Sequence, residues 1–245
     1  MIYFIGAGSG DPELMTIKGA NILKIADVVL YTGSLVPKEV LSWCKEGAII
    51  EDSQGMKYPE IFEFLKQHND KTVVRLHTGD PSIYSTIAKQ IEYLKKENIP
   101  YVVIPGVTAA FGAAASLGIE YTIPGVSQTM ILTRIEGETP NPEKLENILA
   151  CKHSSHVFYL SILLIKKLKN VALDLGYSHD TPCWVVEKAT WKDEKIYKGT
   201  ICDIEMKVSH IKGVALILFG EYLNQREREE SHLYVKPLLK DRTDA

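Results

Sequence analysis

Residues 75–84 read RLHTGDPSIY. The residues before and into this stretch, Thr72–Leu76, are β-formers and predict a strand. The run stops at Thr78, and Gly79, Asp80 and Pro81 follow. Ile83, Tyr84, Ile87, Ala88, Ile91 and Leu94 then repeat at helical spacing, which predicts a helix over 83–96. Asp80 as N-cap with Pro81 as first helical residue is ordinary helix-start chemistry. That reading does not by itself call for Gly79. A glycine at a strand end lets a ligand approach the backbone closely. The loop offers free amides, a carboxylate and little side-chain bulk. It suits a ligand with hydroxyls or an amine, such as a nucleoside, better than a phosphate.

Outward from this stretch the first half of the chain alternates. Ile2–Ile5, Val28–Tyr31, Ala48–Glu51, Thr72–Leu76 and Tyr101–Ile104 are strand-like. Leu14–Ala26, Lys38–Trp43, Pro59–Gln67 and Thr108–Leu117 are helix-like. Strands alternating with helices imply a mainly parallel sheet with helices on both faces. Near Gly118–Gly125 the texture changes. Ser127–Thr133, His156–Leu160, Cys183–Glu187, Lys195–Lys198 and Val214–Phe219 predict strands, with helices over Leu145–Ala150 and Ile165–Leu175. The run from Trp184 to Thr200 reads as two antiparallel strands joined by a tight charged turn. The expectation is an α/β fold of two lobes: residues 1–118 with a mainly parallel sheet, residues 119–224 with a mixed sheet, and a charged C-terminal tail over 225–245.

The bulk numbers set limits. The chain has 245 residues, 45% hydrophobic and 24% charged, with a net charge of −3. The isoelectric point near 6.2 argues against a protein that grips nucleic acid mainly through its phosphates. Cys44, Cys151, Cys183 and Cys202 form no CxxC pair, so neither zinc nor a disulfide framework is expected, and reduced thiols in a cytoplasmic enzyme are the simplest reading. His153 and His156 are the nearest approach to a metal pair and lack a third ligand. The opening MIYFIGAGSGDP has no basic stretch ahead of its short apolar run, so no secretory signal is expected. No apolar run approaches the length of a membrane span.

Three glycine-bearing loops fall at predicted strand ends, where ligands of open α/β sheets bind. In Gly6-Ala7-Gly8-Ser9-Gly10-Asp11-Pro12 the dinucleotide fingerprint GxGxxG fails, because Asp11 stands where the third glycine belongs and no acidic residue ends the second strand. A tight turn and a binding role remain open there. Thr78-Gly79-Asp80-Pro81 is the second loop. In the third, Pro105-Gly106-Val107-Thr108, Thr108 as N-cap presents a hydroxyl and amides. Further on, TRIEGETPNPE (133–143) holds Arg134, one of only two arginines before the tail; the other is Arg75. A planar guanidinium past a strand end suits a carboxylate. An ion pair with Glu136 or Glu138 is the competing reading.

Taken in order, GAGSGDPELMTIKG (6–19), RLHTGDPSIY (75–84), VIPGVTAA (103–110), TRIEGETP (133–140), HVFYL (156–160) and GVALILFG (213–220) resemble the tetrapyrrole (corrin/porphyrin) methyltransferase family over essentially the whole length, to about residue 223. The loop TRIEGETPNPE is most similar to the precorrin-4 C-11 methyltransferases of cobalamin biosynthesis. Two positions depart from the pattern: Glu138, where that subgroup commonly has arginine, and Ala189, where relatives often have glycine.

The resemblance implies two α/β lobes with S-adenosylmethionine in the cleft between them, S-adenosylhomocysteine as product, a tetrapyrrole substrate and a homodimer. It places cofactor contacts at Pro12, Thr78, Gly79, Asp80, Ile83, Thr108, Ala109, Leu160, Ala189 and Ala215. A ring carbon displacing a methyl group from a sulfonium needs alignment and a dry site more than a protein nucleophile. No pattern fixes a catalytic base; Asp80, Tyr84 and Glu136 are the candidates. Arg134, with Lys57 and Lys188, is nominated for the substrate carboxylates. No metal and no nucleic acid are expected. The alternatives are another tetrapyrrole methyltransferase (precorrin-2 C-20, precorrin-3 C-17 or uroporphyrinogen-III), the same fold acting on a macromolecule, a non-enzymatic binder, or a nucleotide-dependent oxidoreductase built on GAGSG.

Overall fold

A computed structural model describes residues 1–224; the tail expected over 225–245 lies outside the described residues. The chain divides into two compact units. One is Met1–Ser116 together with Lys188–Lys195, and the other is Leu117–Glu187 with Ile196 onward.

In the first unit, β1 (Ile2–Gly6), β2 (Val28–Tyr31), β3 (Ile49–Asp52), β4 (Val73–His77) and β5 (Tyr101–Ile104) form one sheet in the order β3-β2-β4-β1-β5. Every neighbouring pair is parallel. Strands β2 and β4 are buried along their whole length. This is why β2 reads as an unbroken apolar run, VVLY, while β4 adds the buried Arg75 and His77 to its apolar residues: a parallel sheet is covered on both faces.

The connecting helices are α1 (Ile17–Leu23), α2 (Tyr58–Gln67), α3 (Ile87–Lys96) and α4 (Ala109–Leu117). Because strand side chains alternate in direction, Ile5, Val29, Val74 and Leu76 pack with Ala20 and Leu23 of α1. Ile2, Phe4, Val28, Leu30 and Val73 pack on the other face with Ile61 and Leu65 of α2 and Leu94 of α3. Leu23, Leu65 and Leu94 are each fully buried, contributing about 2–3 kcal/mol apiece. The β1–α1–β2 and β4–α3–β5 connections therefore leave in opposite directions over opposite faces. Adjacent strands β1 and β4 part at their carboxyl ends, which makes a topological switch point.

In the second unit, β6 (Thr129–Thr133), β7 (Ser154–Phe158), β8 (Cys183–Glu187), β9 (Lys195–Tyr197) and β10 (Ala215–Phe219) stand in the order β6-β7-β10-β8-β9. β6 and β7 are parallel, while β10 runs antiparallel to both β7 and β8. The sheet is mixed, as expected from the sequence. Helices α5 (Leu145–Ala150), α6 (Ile165–Asp174) and α7 (Ile204–Val208) bury Leu149, Leu168 and Ile204 against Phe158, Val185 and Ile217.

The short helix expected over Lys38–Trp43 is present, as a 3-10 helix. Two local expectations are corrected. The helix expected from Ile83 begins at Ile87, and Asp80 does not cap it. Tyr84 and Thr86 have φ of 52° and 57°, left-handed values that a right-handed helix cannot include. The tight turn expected after β8 is a seven-residue excursion, 188–194, that belongs with the first unit.

Candidate active site

The loops after β1, β4 and β5 converge on three glycines. A Cβ added to Gly6 would lie 2.5 Å from the Gly79 carbonyl oxygen and 2.7 Å from the Gly106 Cα, and one on Gly106 would also strike the Gly79 oxygen. Three backbones meet where no side chain fits. Gly79 differs: its φ is +61°, and a Cβ there would make ordinary contact with the Thr108 Cα at 3.4 Å. Its glycine is demanded by conformation. The β1 and β4 loops are paired directly, Gly79 N–H donating to Gly8 O at 2.8 Å and Ala7 N–H to His77 O at 2.7 Å.

Asp80 ties the β4 loop to the β5 loop. Its Oδ2 accepts from the Gly106 amide at 2.9 Å, and its Oδ1 from the Ser82 amide at 2.8 Å and the Ser82 hydroxyl at 2.5 Å. Burial acts to raise its pKa, but the bonds from Ser82 and Gly106 outweigh it, so the carboxyl sits below its ordinary value. A carboxylate held this way is a poor proton acceptor and a good fixed acceptor of hydrogen bonds. Beneath it, His77 is buried, and burial together with the nearby Arg75 drives its pKa down to about 3. Arg75 itself donates to Leu30 O, Ser53 Oγ and Thr32 Oγ1, which ties β4 to β2 and the segments after β2 and β3.

The GAGSGDP loop is held by an element that sequence reading missed. Trp191 donates its indole N–H to Ser9 O at 3.1 Å, and its ring edge lies against Gly10, where a Cβ would collide with it. The Thr190 hydroxyl lies 2.8 Å from Ser9 Oγ and accepts from the Asp11 amide at 3.1 Å. Asp11 Oδ1 accepts from Glu13 N–H and opens a one-turn helix with Pro12 at its start. The amides of Ala7, Gly8 and Asp11 are thus already bonded within the protein. That leaves little for a pyrophosphate and disfavours the dinucleotide reading. The sequence signal for this clamp is a tryptophan amid a charged turn, ATWKDE, which a solvated hairpin does not need.

Of the residues nominated from the sequence, Thr78, Gly79, Asp80, Thr108 and Ala109 come together in the first unit. Gly79 lies within 3.4–3.6 Å of the backbone of Thr108 and Ala109 through its Cβ direction. Pro12 follows the clamped loop, and its carbonyl accepts from the Trp43 indole at 3.1 Å. Ile83 is half-buried in the turn before α3, and Tyr84 is exposed beside it. Ala189 is buried between Lys188 and Thr190, both at positive φ. Lys57 does not join them. It opens α2 beyond β3, the edge strand, its amide donating to Glu60 at 2.6 Å.

In the second unit the β6–β7–β10–β8 register brings other nominated residues to one end of the sheet. Thr133 pairs with Phe158, so Arg134 and Leu160 lie just past that end. Ala215 opens β10 there, opposite Glu187. Leu160 is 67% exposed with φ of 51°, an apolar side chain held in a strained turn of the kind found at ligand sites. Arg134 folds back on its own loop, donating to Thr139 O at 2.9 Å and to Pro140 O. Among the described residues it has no ion pair with Glu136 or Glu138. Glu136 is exposed, and its carbonyl accepts from Lys167 at 3.0 Å. The described residues contain no group of three metal-ligating side chains.

Comparison with known proteins follows the same outline. The family described as Tetrapyrrole (Corrin/Porphyrin) Methylases matches residues 1–205. The chain belongs to that family. The methylase is 46% identical over 240 residues to the cobalt-precorrin-4 C(11)-methyltransferase of Methanocaldococcus jannaschii, covering 96% of this chain and 93% of that protein. It is 39% identical to the precorrin-4 C(11)-methyltransferase of Pseudomonas aeruginosa, covering 95% and 94%. Among solved structures, the methylase superposes on a cobalt precorrin-4 methyltransferase with a TM-score of 0.86 at 43% identity, covering 91% and 95%. It superposes on a uroporphyrin-III C-methyl transferase from Thermus thermophilus, solved with S-adenyl homocysteine, with a TM-score of 0.77 at 26% identity, covering 91% and 98%.

Proposed function

We propose that this methylase transfers a methyl group from S-adenosylmethionine to C-11 of cobalt-precorrin-4, giving cobalt-precorrin-5 in cobalamin biosynthesis. The observation that carries the reading is the 46% identity with a cobalt-precorrin-4 C(11)-methyltransferase across 96% of the chain. The cobalt-bearing substrate is favoured because the relatives at 46% and 42% carry that name, against 39% for the metal-free form. The uroporphyrinogen-III reading ranks lower, with a relative at 33%.

The residues present fit the cofactor. Gly79 brings the Thr78–Asp80 backbone up against that of Thr108 and Ala109, and Asp80 is a fixed anion with bonding capacity left on Oδ2. In the first unit Thr78, Gly79, Asp80, Ile83, Thr108 and Ala109 would hold its adenosine and amine groups, with Pro12 after the clamped loop and Ala189 in the clamp; the second unit offers Leu160 and Ala215 at one end of its own sheet. When bound, the cofactor supplies an electrophilic methyl group on a sulfonium.

The chain's own contribution is to orient and to exclude water. Asp80 keeps its charge and holds polar groups in register, and its engaged oxygens leave Tyr84 and Glu136 as the candidates for taking a substrate proton. Arg134 would take a substrate carboxylate by exchanging the carbonyls of Thr139 and Pro140 for it. The resemblance further implies a homodimer, and four cysteines without a CxxC pair point to reduced thiols in the cytoplasm. Among the described residues, no helix is long and apolar enough to cross a membrane. Sedimentation equilibrium at twice the chain mass of 27.4 kDa would support the dimer.

The deciding experiment incubates purified protein with methyl-labelled S-adenosylmethionine and, separately, cobalt-precorrin-4, precorrin-4, precorrin-2 and uroporphyrinogen-III. Label at C-11 of the cobalt-bearing product is expected. Label at C-20, C-17 or C-2, or none at all, rejects the assignment.

A further inference from the structure

Trp191 stands between two adjoining depressions in the first unit, of about 450 Å³ and about 320 Å³. Pro37, Glu39, Trp191, Lys192 and Asp193 border both; the larger adds Lys38 and Lys188, and the smaller reaches Pro12. The indole is a fixed wall, bonded to Ser9 and packed on Gly10. The cations around it are unequally engaged. Lys188 is neutralised by Asp193 at 2.5 Å and lies over the Trp191 ring. Lys192 reaches Glu39 only at 3.9 Å, with 84% of its side chain exposed. Lys38 is exposed and has no carboxylate within ion-pair distance among the described residues. These groups sit at the start of the 3-10 helix that follows β2 and on the 188–195 segment that clamps the β1 loop, beside Pro12.

We propose that Lys38 and Lys192 form a carboxylate-binding rim beside Trp191 that receives acetate- and propionate-type arms of the tetrapyrrole, and that Glu39 is a counter-charge on Lys192 which the substrate displaces. The inference deepens the methyl-transfer reading and rests on it for the identity of the substrate. It departs from the sequence-based nomination, since Lys188 is already paired. A compact ammonium on a flexible stem suits scattered carboxylate arms that present no single planar geometry. The weak Glu39 contact costs little to exchange, because an exposed pair is screened by water and holds its partners loosely.

The test titrates the full chain with uroporphyrin, an octacarboxylate, reading protein fluorescence at low salt, and measures KM and kcat for methyl transfer. The double variant Lys38→Gln/Lys192→Gln is expected to weaken uroporphyrin binding about tenfold and to raise KM with kcat unchanged. Glu39→Gln is expected to tighten binding about twofold, an effect that loss of a merely structural contact would not give. Lys18→Gln/Lys95→Gln, which removes the same charge elsewhere on this unit, is expected to match wild type. No binding by wild type overturns the rim. So does a rim double variant within about twofold of wild type, equal weakening by the control pair, or weaker binding by Glu39→Gln. Lysine-dependent binding without any methyl transfer upholds the rim and rejects the enzymatic reading instead.

Discussion

Gly106 and Gly79 are both small for a reason, and the reasons predict different costs. Gly106→Ala forces a Cβ into the Gly79 carbonyl oxygen, a backbone clash that should lower stability by about 2–3 kcal/mol in urea unfolding. Gly79→Ala meets no clash and bears only the left-handed φ of +61°, so its cost should be about 1 kcal/mol. Reversal of that order would contradict the packing described at the three loops.

His77 makes a pH prediction. It is neutral in the folded state down to about pH 3, whereas an unfolded histidine takes up a proton near 6.5. The unfolded chain therefore binds more protons between those values. The stability this group permits is complete above about pH 6.5 and falls as pH drops towards 3, by at most about 1.4 kcal/mol per pH unit. Urea midpoints of wild type and His77→Gln between pH 7 and pH 5 should converge as the pH falls, because only wild type carries this term.

At the scale of elements, the parallel strands and their helices were legible because burial on both faces leaves runs such as VVLY without polar interruption, and VVRLH still reads through its Val73, Val74 and Leu76. The start of α3 was not. Asp80-Pro81 carries the local signature of a helix start, yet the Asp80 carboxylate is claimed by an amide 26 residues away, at Gly106. No local pattern encodes that competition. Thr86, which precedes the helix at a φ of 57° without a side-chain cap bond, is left strained. Thr86→Gly should accordingly leave stability unchanged or raise it by up to about 1 kcal/mol, measured by thermal unfolding.

The 188–195 clamp was missed for a related reason. Its partners, Ser9 and Asp11, lie about 180 residues away in sequence, and only the unexplained tryptophan hinted at them. Thr190→Val removes the hydroxyl shared by Ser9 and Asp11. It should cost about 1–2 kcal/mol and speed amide hydrogen exchange at Asp11, with β2 unaffected.

For the whole molecule, two α/β units, one parallel and one mixed, were readable from composition and alternation, and the family from six ordered motifs. The site was readable only in part. The sequence nominated the glycine loops and Asp80, but the structure shows Asp80 stitched to Gly106 and Arg134 folded onto its own loop, details fixed by distant backbone groups. What remains common to both is the switch point of β1 and β4, with Thr78–Asp80 facing Thr108–Ala109. Calorimetric titration with S-adenosylhomocysteine, run side by side on wild type and folded Gly79→Ala, tests that site most directly. Binding by wild type, weakened about tenfold by the substitution, is predicted. No heat from wild type, or equal affinities for the two proteins, would contradict it.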